Sequence, residues 1–188
     1  MLLELVERLG NLMRAELRKA GTDESLQPVH LQALIYLSKA NRYSNTPQAL
    51  ASYLGLTKGT VSQTLLLLDR RGLIERYQDD IDRRVVRLRL STAGEQFLYD
   101  SQPTLAWQNA TRNISPNRIR NATSALREAL ATLQEDNEGS PFGECNSCSH
   151  CQKLSQRISR CGLMGDRLSG PETRRICWLF EAKREDAG

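Results

Sequence analysis

The chain has 188 residues and a formal net charge of +4, with 39% hydrophobic and 26% charged residues. This composition is typical of a globular protein with a hydrophobic core, and the length suits one domain of about 140 residues plus an appendage. No apolar run reaches the roughly 20 residues that span a bilayer, and glutamates interrupt the N-terminal leucines. We therefore expect a cytoplasmic protein without a membrane partner, whose mild positive surplus permits nucleic-acid binding.

The first part of the chain has mostly helical periodicity. Apolar residues at three- and four-residue steps predict an amphipathic helix at each end of this part. Turn and cap residues predict three more helices between them: one beginning at Pro28, one from Thr46 to Gly55, and one from Thr57 to Gly72. The two terminal stripes are Leu2, Val6, Leu9, Met13 and Leu17, and, after Ser115-Pro116, Ile119, Ala122, Leu126, Ala129 and Leu133.

The periodicity changes to two after Gly72. Leu73-Ile74 opens a short strand, residues 78–82 are rich in turn formers, and Val86, Leu88 and Leu90 alternate with arginines. This pattern predicts a β-hairpin with one buried and one charged face. Ser91 then caps a further helix that extends to about Arg112.

Two short helices joined at Gly55-Leu56 and followed by a basic hairpin are typical of a winged helix-turn-helix. The second helix of such a motif fits the major groove of DNA and presents short polar side chains to the base edges. We predict that Val61, Leu65 and Leu68 hold this helix down from its buried side, and that Gly59 allows close backbone approach. The candidate DNA-contacting residues on this helix are Thr57, Lys58, Gly59, Thr60, Ser62, Gln63 and Arg70.

Residues 50–95 resemble the DNA-binding core of the MarR family of bacterial transcriptional regulators. The most diagnostic element is Asp82-x-Arg84-x3-Leu88-x-Leu90-Ser91-x2-Gly94, which is similar to the family's wing pattern D-x-R-x3-L-x-L-T-x2-G. The resemblance extends over roughly residues 1–137. It implies a mainly α-helical protein with a small β-hairpin wing, in which the first and last helices form a homodimer that binds a pseudo-palindromic double-stranded operator.

The same resemblance assigns roles within the wing. Arg84 and Arg83 would reach the minor groove, and Asp82 would hold the wing tip by pairing with an arginine. Lys58 and Arg70 suit phosphate contacts better than base contacts. Two plainer interpretations stay open: the wing arginines form only a solvated charged face, and the terminal apolar stripes form an ordinary intrachain core.

All five cysteines follow residue 144, beyond a turn-rich segment near residues 136–143. This contrast divides the chain into residues 1–137, a DNA-binding and dimerisation domain, and residues 138–188, a Cys-rich tail. An odd number of cysteines, three of them spaced as C-x2-C-x2-C, argues for metal or redox chemistry and against a disulfide scaffold. The cysteines are Cys145, Cys148, Cys151, Cys161 and Cys177.

Local spacing alone predicts Cys145, Cys148 and Cys151 as three ligands of one cluster. A subset of MarR-like sequences instead carries a similar tail, C-x2-C…C-G-L-x-G…C, and this resemblance implies Cys145, Cys148, Cys161 and Cys177, with Cys151 as an alternative ligand. Four thiolates suit a [4Fe-4S] cluster or Zn²⁺. The irregular spacing favours the cluster, and zinc remains the alternative; we expect Trp178 and Phe180 to pack over the site.

The leading hypothesis is a transcriptional repressor whose DNA binding is modulated by this cluster or metal. One alternative is a MarR-like regulator that senses a phenolic or drug-like ligand, with a purely structural zinc tail. Others are a thiol redox or electron-transfer protein and a zinc-stabilised adapter. The chain has only two histidines: His30 suits a structural role, and His150 is more often a neighbour of the site than a ligand. A Cys/His or Ser/His/Asp enzyme is therefore not expected.

Overall fold

The structure, a computed structural model, describes residues 1–20, 26–101, 105–136 and 141–183. Its first part is helical with one hairpin. The elements are α1 (Leu2–Ala20), α2 (Pro28–Lys39), α3 (Pro47–Leu54), α4 (Lys58–Arg70), β1 (Ile74–Gln78), β2 (Val86–Leu90), α5 (Thr92–Ser101), α6 (Leu105–Thr111) and α7 (Pro116–Asp136). The mainly α-helical winged fold that the sequence predicts is confirmed.

The tail consists of short strands. They are β3 (Gly143–Glu144), β4 (Cys151–Lys153), β5 (Ile158–Cys161), β6 (Arg167–Ser169) and β7 (Ile176–Cys177), with a 3₁₀ turn at Cys145–Ser147 and a one-turn helix α8 (Gly170–Thr173). β4, β5 and β6 form an antiparallel sheet, and β3 pairs with β7. This hairpin-and-turn architecture is the part of the fold that the sequence analysis did not foresee.

The helix boundaries follow from local chemistry. Thr46 Oγ1 accepts a hydrogen bond from the Ala49 N–H at the start of α3, and Thr57 Oγ1 accepts one from the Thr60 N–H at the start of α4. Gly55 ends α3 with φ of +64°, a left-handed conformation that favours glycine. α3 and α4 are thereby set as the two helices of a helix-turn-helix, as predicted.

One close approach fixes α5 against the hairpin. A Cβ on Gly94 would lie 2.0 Å from the carbonyl oxygen of Leu73, so only glycine fits there. Ser91 Oγ accepts from the Gly94 N–H and donates to the Gly72 carbonyl, which confirms its predicted role as a helix cap. The glycine and serine of the wing pattern therefore have a structural purpose.

The core of the first part lies between α2, α3, α4 and the hairpin. Val61, Leu65 and Leu68 are buried on the inner side of α4, as predicted, and pack with Leu34 and Leu88. Val86 departs from the prediction, because it is exposed at the start of β2. On that strand Leu88 is buried and Leu90 is half-buried.

The long terminal helices contribute little to this core. Among the predicted stripe residues whose side chains are described, only Leu17 is buried, while Leu2, Val6, Leu126 and Leu133 remain between 44% and 68% exposed. The interpretation of these stripes as an intrachain core is therefore wrong, apart from Leu17. Within the described ranges, no helix combines the length and apolarity needed to cross a membrane.

The predicted helix from Ser91 to about Arg112 is described as two pieces, α5 and α6. Residues 102–104, which include Pro103, lie outside the described residues, so continuity across them stays a prediction. The predicted domain boundary after residue 137 likewise falls on residues 137–140, outside the described part.

Candidate DNA-binding surface and thiol site

The helix α4 and its N-cap residue Thr57 present an exposed polar surface, most of it in the first half of the helix. Thr57, Lys58, Gly59, Thr60, Ser62, Gln63 and Arg70 are all exposed, as the sequence predicts for groove contacts. Two of these hydroxyls are already in use, because Thr57 caps the helix and lies 2.9 Å, Oγ1 to Oγ1, from Thr60. Ser62 and Gln63 have no intramolecular partner among the described residues, which leaves them free for base edges.

The tip of the wing carries two exposed arginines, Arg83 and Arg84, which differ in their contacts. Arg84 is held by Asp82 through Nε–Oδ1 and Nη2–Oδ2 contacts of 3.0 Å each, which is the Asp82–arginine pair the wing pattern implies. Hydrogen bonds from the Arg84 side chain and backbone lower the pKa of the Asp82 carboxyl. Arg83 has no such partner within the described chain and is exposed. Arg83 is therefore the freer cation for a DNA contact.

Asp79 organises the wing tip, and sequence reasoning missed it. Its Oδ1 accepts from the backbone N–H groups of Ile81 and Asp82, and its Oδ2 lies 2.7 Å from Arg87 Nε. These hydrogen bonds lower the pKa of Asp79 to about 2, and the bond from the Asp82 N–H has the largest effect. In the sequence, nothing distinguishes Asp79 from the adjacent Asp80. Only the folded turn shows that Asp79 accepts the backbone hydrogen bonds of the wing tip.

The five cysteines of the tail meet around one cavity. Cys145 begins the 3₁₀ turn and Cys148 follows it, Cys151 and Cys161 are directly paired across β4 and β5, and Cys177 lies on β7. The cavity, about 10 Å³ in volume, is lined by Tyr43, Cys145, Cys148, His150, Cys151, Cys161, Leu168, Cys177 and Leu179. The structure thus brings together every cysteine that the sequence nominates.

Cys145 and Cys177 interact directly with each other. Cys145 donates a hydrogen bond to Cys177, which raises the pKa of Cys145 together with burial and lowers the pKa of Cys177. Further hydrogen bonds from the side chains of Asn41 and Ser44 and from the Leu179 backbone favour the Cys177 thiolate. A thiolate is the form that binds metals, so this environment prepares Cys177 as a ligand.

The donor set fits thiolate-bound metal chemistry. Around the cavity there are five thiols, one imidazole and no carboxylate, a combination that suits zinc or iron–sulfur clusters. Yet no three Cys, His, Asp or Glu side chains in the described ranges stand close enough together to hold a single ion.

His150 and the aromatic residues differ from expectation in detail. His150 Nε2 is buried, lies 3.1 Å from Glu181 Oε2 and makes no hydrogen bond within the described part of the chain. Phe180 packs on the cluster formed by Tyr43, Cys145, Leu168 and Cys177, as predicted, but Leu179 lines the cavity in place of Trp178. Trp178 instead donates its backbone N–H to Ser44 Oγ at 2.9 Å.

Residues from the first part of the chain (1–136) contribute directly to the thiol site. The spacing of the cysteines within the tail could not reveal this contribution. Asn41 Nδ2 donates to Cys145 Sγ at 3.4 Å across 104 positions of sequence, and Tyr43 forms one wall of the cavity. Phe142 packs edge-on against Tyr53, with ring centroids 5.1 Å apart, and Arg42 pairs with Glu172. By contrast, His30 accepts from the Gln27 backbone N–H at the start of α2, which fits its predicted structural role.

An exposed polar recognition helix followed by a basic hairpin defines a winged helix-turn-helix DNA-binding protein. Comparison with known proteins agrees: residues 25–85 match the family model described as MarR family. The chain is 31% identical to the transcriptional repressor MprA of Escherichia coli K12 over 139 residues, which cover 71% of this chain and 74% of MprA.

Solved structures show the same fold. A MarR-family transcriptional regulator from Silicibacter pomeroyi is 25% identical, with a TM-score of 0.59 over 68% of this chain and 86% of that one. The MepR–DNA complex of S. aureus is 22% identical, with a TM-score of 0.57 over 70% and 98%. The chain belongs to the MarR family and is a DNA-binding transcriptional regulator. These matches leave about 30% of the chain uncovered.

Proposed function

We propose that the chain is a homodimeric repressor that binds a pseudo-palindromic operator, and that a [4Fe-4S] cluster held by Cys145, Cys148, Cys161 and Cys177 modulates its DNA affinity. The observation that carries the second part is the convergence of all five cysteines on one cavity whose wall includes Tyr43 of the DNA-binding part. A repressor role is supported by the similarity to MprA, which is named as a repressor.

DNA binding is supported by the different positions of the polar and basic residues on α4 and the wing. Ser62 and Gln63 are exposed and free to contact base edges, while Lys58 and Arg70 lie at the two ends of α4 and suit phosphates. Arg83 extends the basic surface along the wing. Such a surface predicts affinity that falls steeply with salt concentration, since each phosphate contact releases a counterion.

Dimerisation is supported by the terminal helices. Leu2, Val6, Ile119 and Leu126 expose an apolar stripe on α1 and one on α7 that the described chain leaves uncovered. A second copy of the chain would bury both stripes and place two recognition helices about one helical turn (~34 Å) apart. Sedimentation of the wild type as a dimer and of Leu126→Asp as a monomer is the expected result.

The donor set supports a thiolate-bound metal, and the irregular spacing of the cysteines in the sequence favours a cluster over a single zinc ion. The cavity of about 10 Å³ has room for no more than one water molecule, so the thiols would move apart to accept a cluster. When bound, an iron–sulfur cluster supplies sensitivity to oxidants such as oxygen or peroxide. The chain's own contribution is to hold four thiolates, one of them favoured by Asn41 and Ser44, in a site docked on the DNA-binding part.

The first experiment is an ultraviolet–visible spectrum of anaerobically purified protein, with iron, sulfide and zinc assayed on the same sample. A visible charge-transfer band that bleaches in air, with iron and sulfide each near four per chain, is expected. Operator affinity should then differ between the loaded and the air-bleached protein. A colourless protein with one zinc per chain, or equal affinities, would overturn the cluster part and leave DNA binding intact.

A second candidate function is supported by a separate cavity. A groove of about 750 Å³ lies between α2, β2, α5 and α8, bordered by Leu37, Leu98, Tyr99, Pro171 and Arg175. This size suits a small organic ligand. A phenolic ligand there, with a structural zinc in the tail, would give a protein that keeps its zinc in air and loses operator affinity when phenolic compounds are added.

A further inference from the structure

The segment between α2 and α3, residues 40–46, contacts both the thiol site and the wing. We call it the α2–α3 loop. It belongs to the DNA-binding part by sequence, yet Asn41 and Ser44 are buried against the tail. The backbone N–H of Asn41 donates to the Ile176 carbonyl at 2.9 Å, and Ala40 bridges to Ile176. The loop therefore sits in the interface between the two parts of the chain.

On its tail side, the loop holds the cysteines. Asn41 Nδ2 donates to Cys145 Sγ at 3.4 Å, and Ser44 Oγ accepts from the backbone N–H of Trp178, the residue after Cys177, at 2.9 Å. Ser44 Oγ also donates to Asn41 Oδ1 at 2.7 Å, which fixes the amide orientation. Any movement of Cys145 or Cys177 on taking up or losing a bound group would therefore change the contacts of these two loop side chains.

On its other side, the loop holds the wing. The Leu88 N–H donates to the Asn45 carbonyl at 2.7 Å, and Asn45 Nδ2 donates to the Leu88 carbonyl at 3.0 Å. Arg87 Nη1 donates to the Arg42 carbonyl at 2.8 Å and to Asn45 Oδ1 at 3.3 Å. Its Nε simultaneously binds Asp79, which caps the wing tip. One guanidinium thus connects the loop backbone to the tip.

We propose that the α2–α3 loop couples the state of the thiol site to the position of the wing, with Arg87 as the positioning residue that carries the coupling. This inference rests on the proposed function, in that a group is held by the thiolates. A bound group fixes Cys145 and Cys177, these fix Asn41 and Ser44, and the loop carbonyls then hold Arg87 and Asp79. Loss of the group loosens the loop and, through Arg87, the wing tip.

The proposed coupling requires an arginine at position 87. Its side chain is only 17% exposed and its planar fork reaches two loop oxygens and one carboxylate at once. Lysine has one compact ammonium group and cannot reproduce such a fork. Arg89, two residues further along β2, offers a matched control, because it pairs with Glu75 inside the hairpin and makes no hydrogen bond or ion pair with the loop among the described residues.

The test measures the ratio of operator Kd values for chelator-stripped and loaded protein. Loading uses anaerobic ferrous iron with sulfide and, in parallel, zinc chloride. We expect the ratio to differ from one by at least about fivefold in the wild type, the lower end of typical coupling between sites. Arg87→Lys and Arg87→Ala should bring the ratio to within about twofold of one with unchanged metal content, while Arg89→Lys keeps the wild-type ratio.

A second readout does not involve DNA. Amide hydrogen exchange of the wing peptide covering residues 79–86 should differ between loaded and stripped wild type, and should not differ in Arg87→Lys. Arg87→Lys keeps a cation near Asp79, so it preserves the fold if Arg87→Ala does not. Thermal melting of each variant reports the fold directly.

The outcomes separate the two claims. A wild type that takes up neither metal overturns the metal part of the proposed function, and the coupling with it. A wild type whose loading changes operator affinity, but whose ratio survives in Arg87→Lys, overturns only the coupling through Arg87. Identical wing exchange in loaded and stripped wild type also overturns it.

Discussion

Tyr43 and Asp166, 123 positions apart in the sequence, are joined by a hydrogen bond of 2.6 Å from the tyrosine hydroxyl to Oδ2. Burial, with this hydrogen bond, raises the pKa of Tyr43 well above its usual range. The pair ties the α2–α3 loop to the turn that follows Cys161. Docking of the tail therefore depends on a polar contact at the edge of the thiol cavity as well as on apolar packing.

Tyr43→Phe should loosen this docking. The change removes the hydroxyl and leaves Asp166 without its partner, at an expected cost of about 1 kcal/mol. We expect faster alkylation of the tail cysteines in the stripped protein and a lower melting temperature. Tyr99→Phe is the control, because Tyr99 is 74% exposed. Equal alkylation rates in the two variants would show that the hydroxyl does not hold the tail.

Gly94→Ala should destabilise the DNA-binding part. The new Cβ would meet the Leu73 carbonyl oxygen, so α5 must shift away from the hairpin, and overpacking of this kind costs about 1–3 kcal/mol. Urea unfolding measures the loss. Gly59→Ala, whose nearest neighbour is 3.9 Å away in the first turn of α4, should instead leave stability equal or higher by up to about 1 kcal/mol. A Gly94→Ala variant of wild-type stability would contradict the close approach.

The sequence predicted the elements that local chemistry determines. Thr57 caps α4, Gly72 has φ of +65° beyond its end, and Ser91 caps α5, so that each boundary was visible in a few neighbouring residues. The exposed half of α4 followed from the buried positions of Val61 and Leu65, because helical periodicity assigns both faces at once.

Long-range contacts escaped the sequence analysis for a physical reason. Nothing within the tail marks Asn41 or Tyr43 as its partners, since hydrogen bonds across more than 100 positions leave no periodic signal. The exposure of Leu126 was also open, because the same apolar stripe serves an intrachain core or a second copy. Only the folded chain separates these cases.

Gln63→Ala and Arg83→Ala should affect DNA binding in different ways. Gln63 suits base edges, so its loss should cost about 1–3 kcal/mol on an operator selected from random sequence and little on unrelated DNA. Arg83 would reach the minor groove and contribute mainly its charge there, so its loss should weaken both complexes alike and lower the salt slope by about one. Fluorescence anisotropy titrations at several salt concentrations measure both effects. A uniform loss for Gln63→Ala would reassign it to phosphate contact.

Asp79 makes the wing tip insensitive to pH over the neutral and mildly acidic range. Its pKa of about 2 lies below the ordinary value of 3.8, so its stabilising contribution is present above the ordinary value and is lost as pH falls through about 2. We expect the amide resonances of Ile81 and Asp82 to stay constant from pH 7 to about pH 4. Asp79→Asn should shift them at neutral pH, and Asp80→Asn, at the exposed neighbour, should not. A midpoint between pH 4 and 7 would contradict this role.

Single Cys→Ser changes should identify the thiolates that hold the bound group. We expect Cys145, Cys148, Cys161 and Cys177 each to be required for most of the iron and sulfide, because serine replaces a thiolate with a poor ligand. Cys151→Ser is the matched control and should retain the wild-type content. Cys151 and Cys161 face each other across β4 and β5. If Cys151 is the ligand in place of Cys161, the pattern of iron loss in these two variants is reversed. Loss of iron in Cys151→Ser with retention in Cys161→Ser would assign the site to the local C-x2-C-x2-C run plus Cys177.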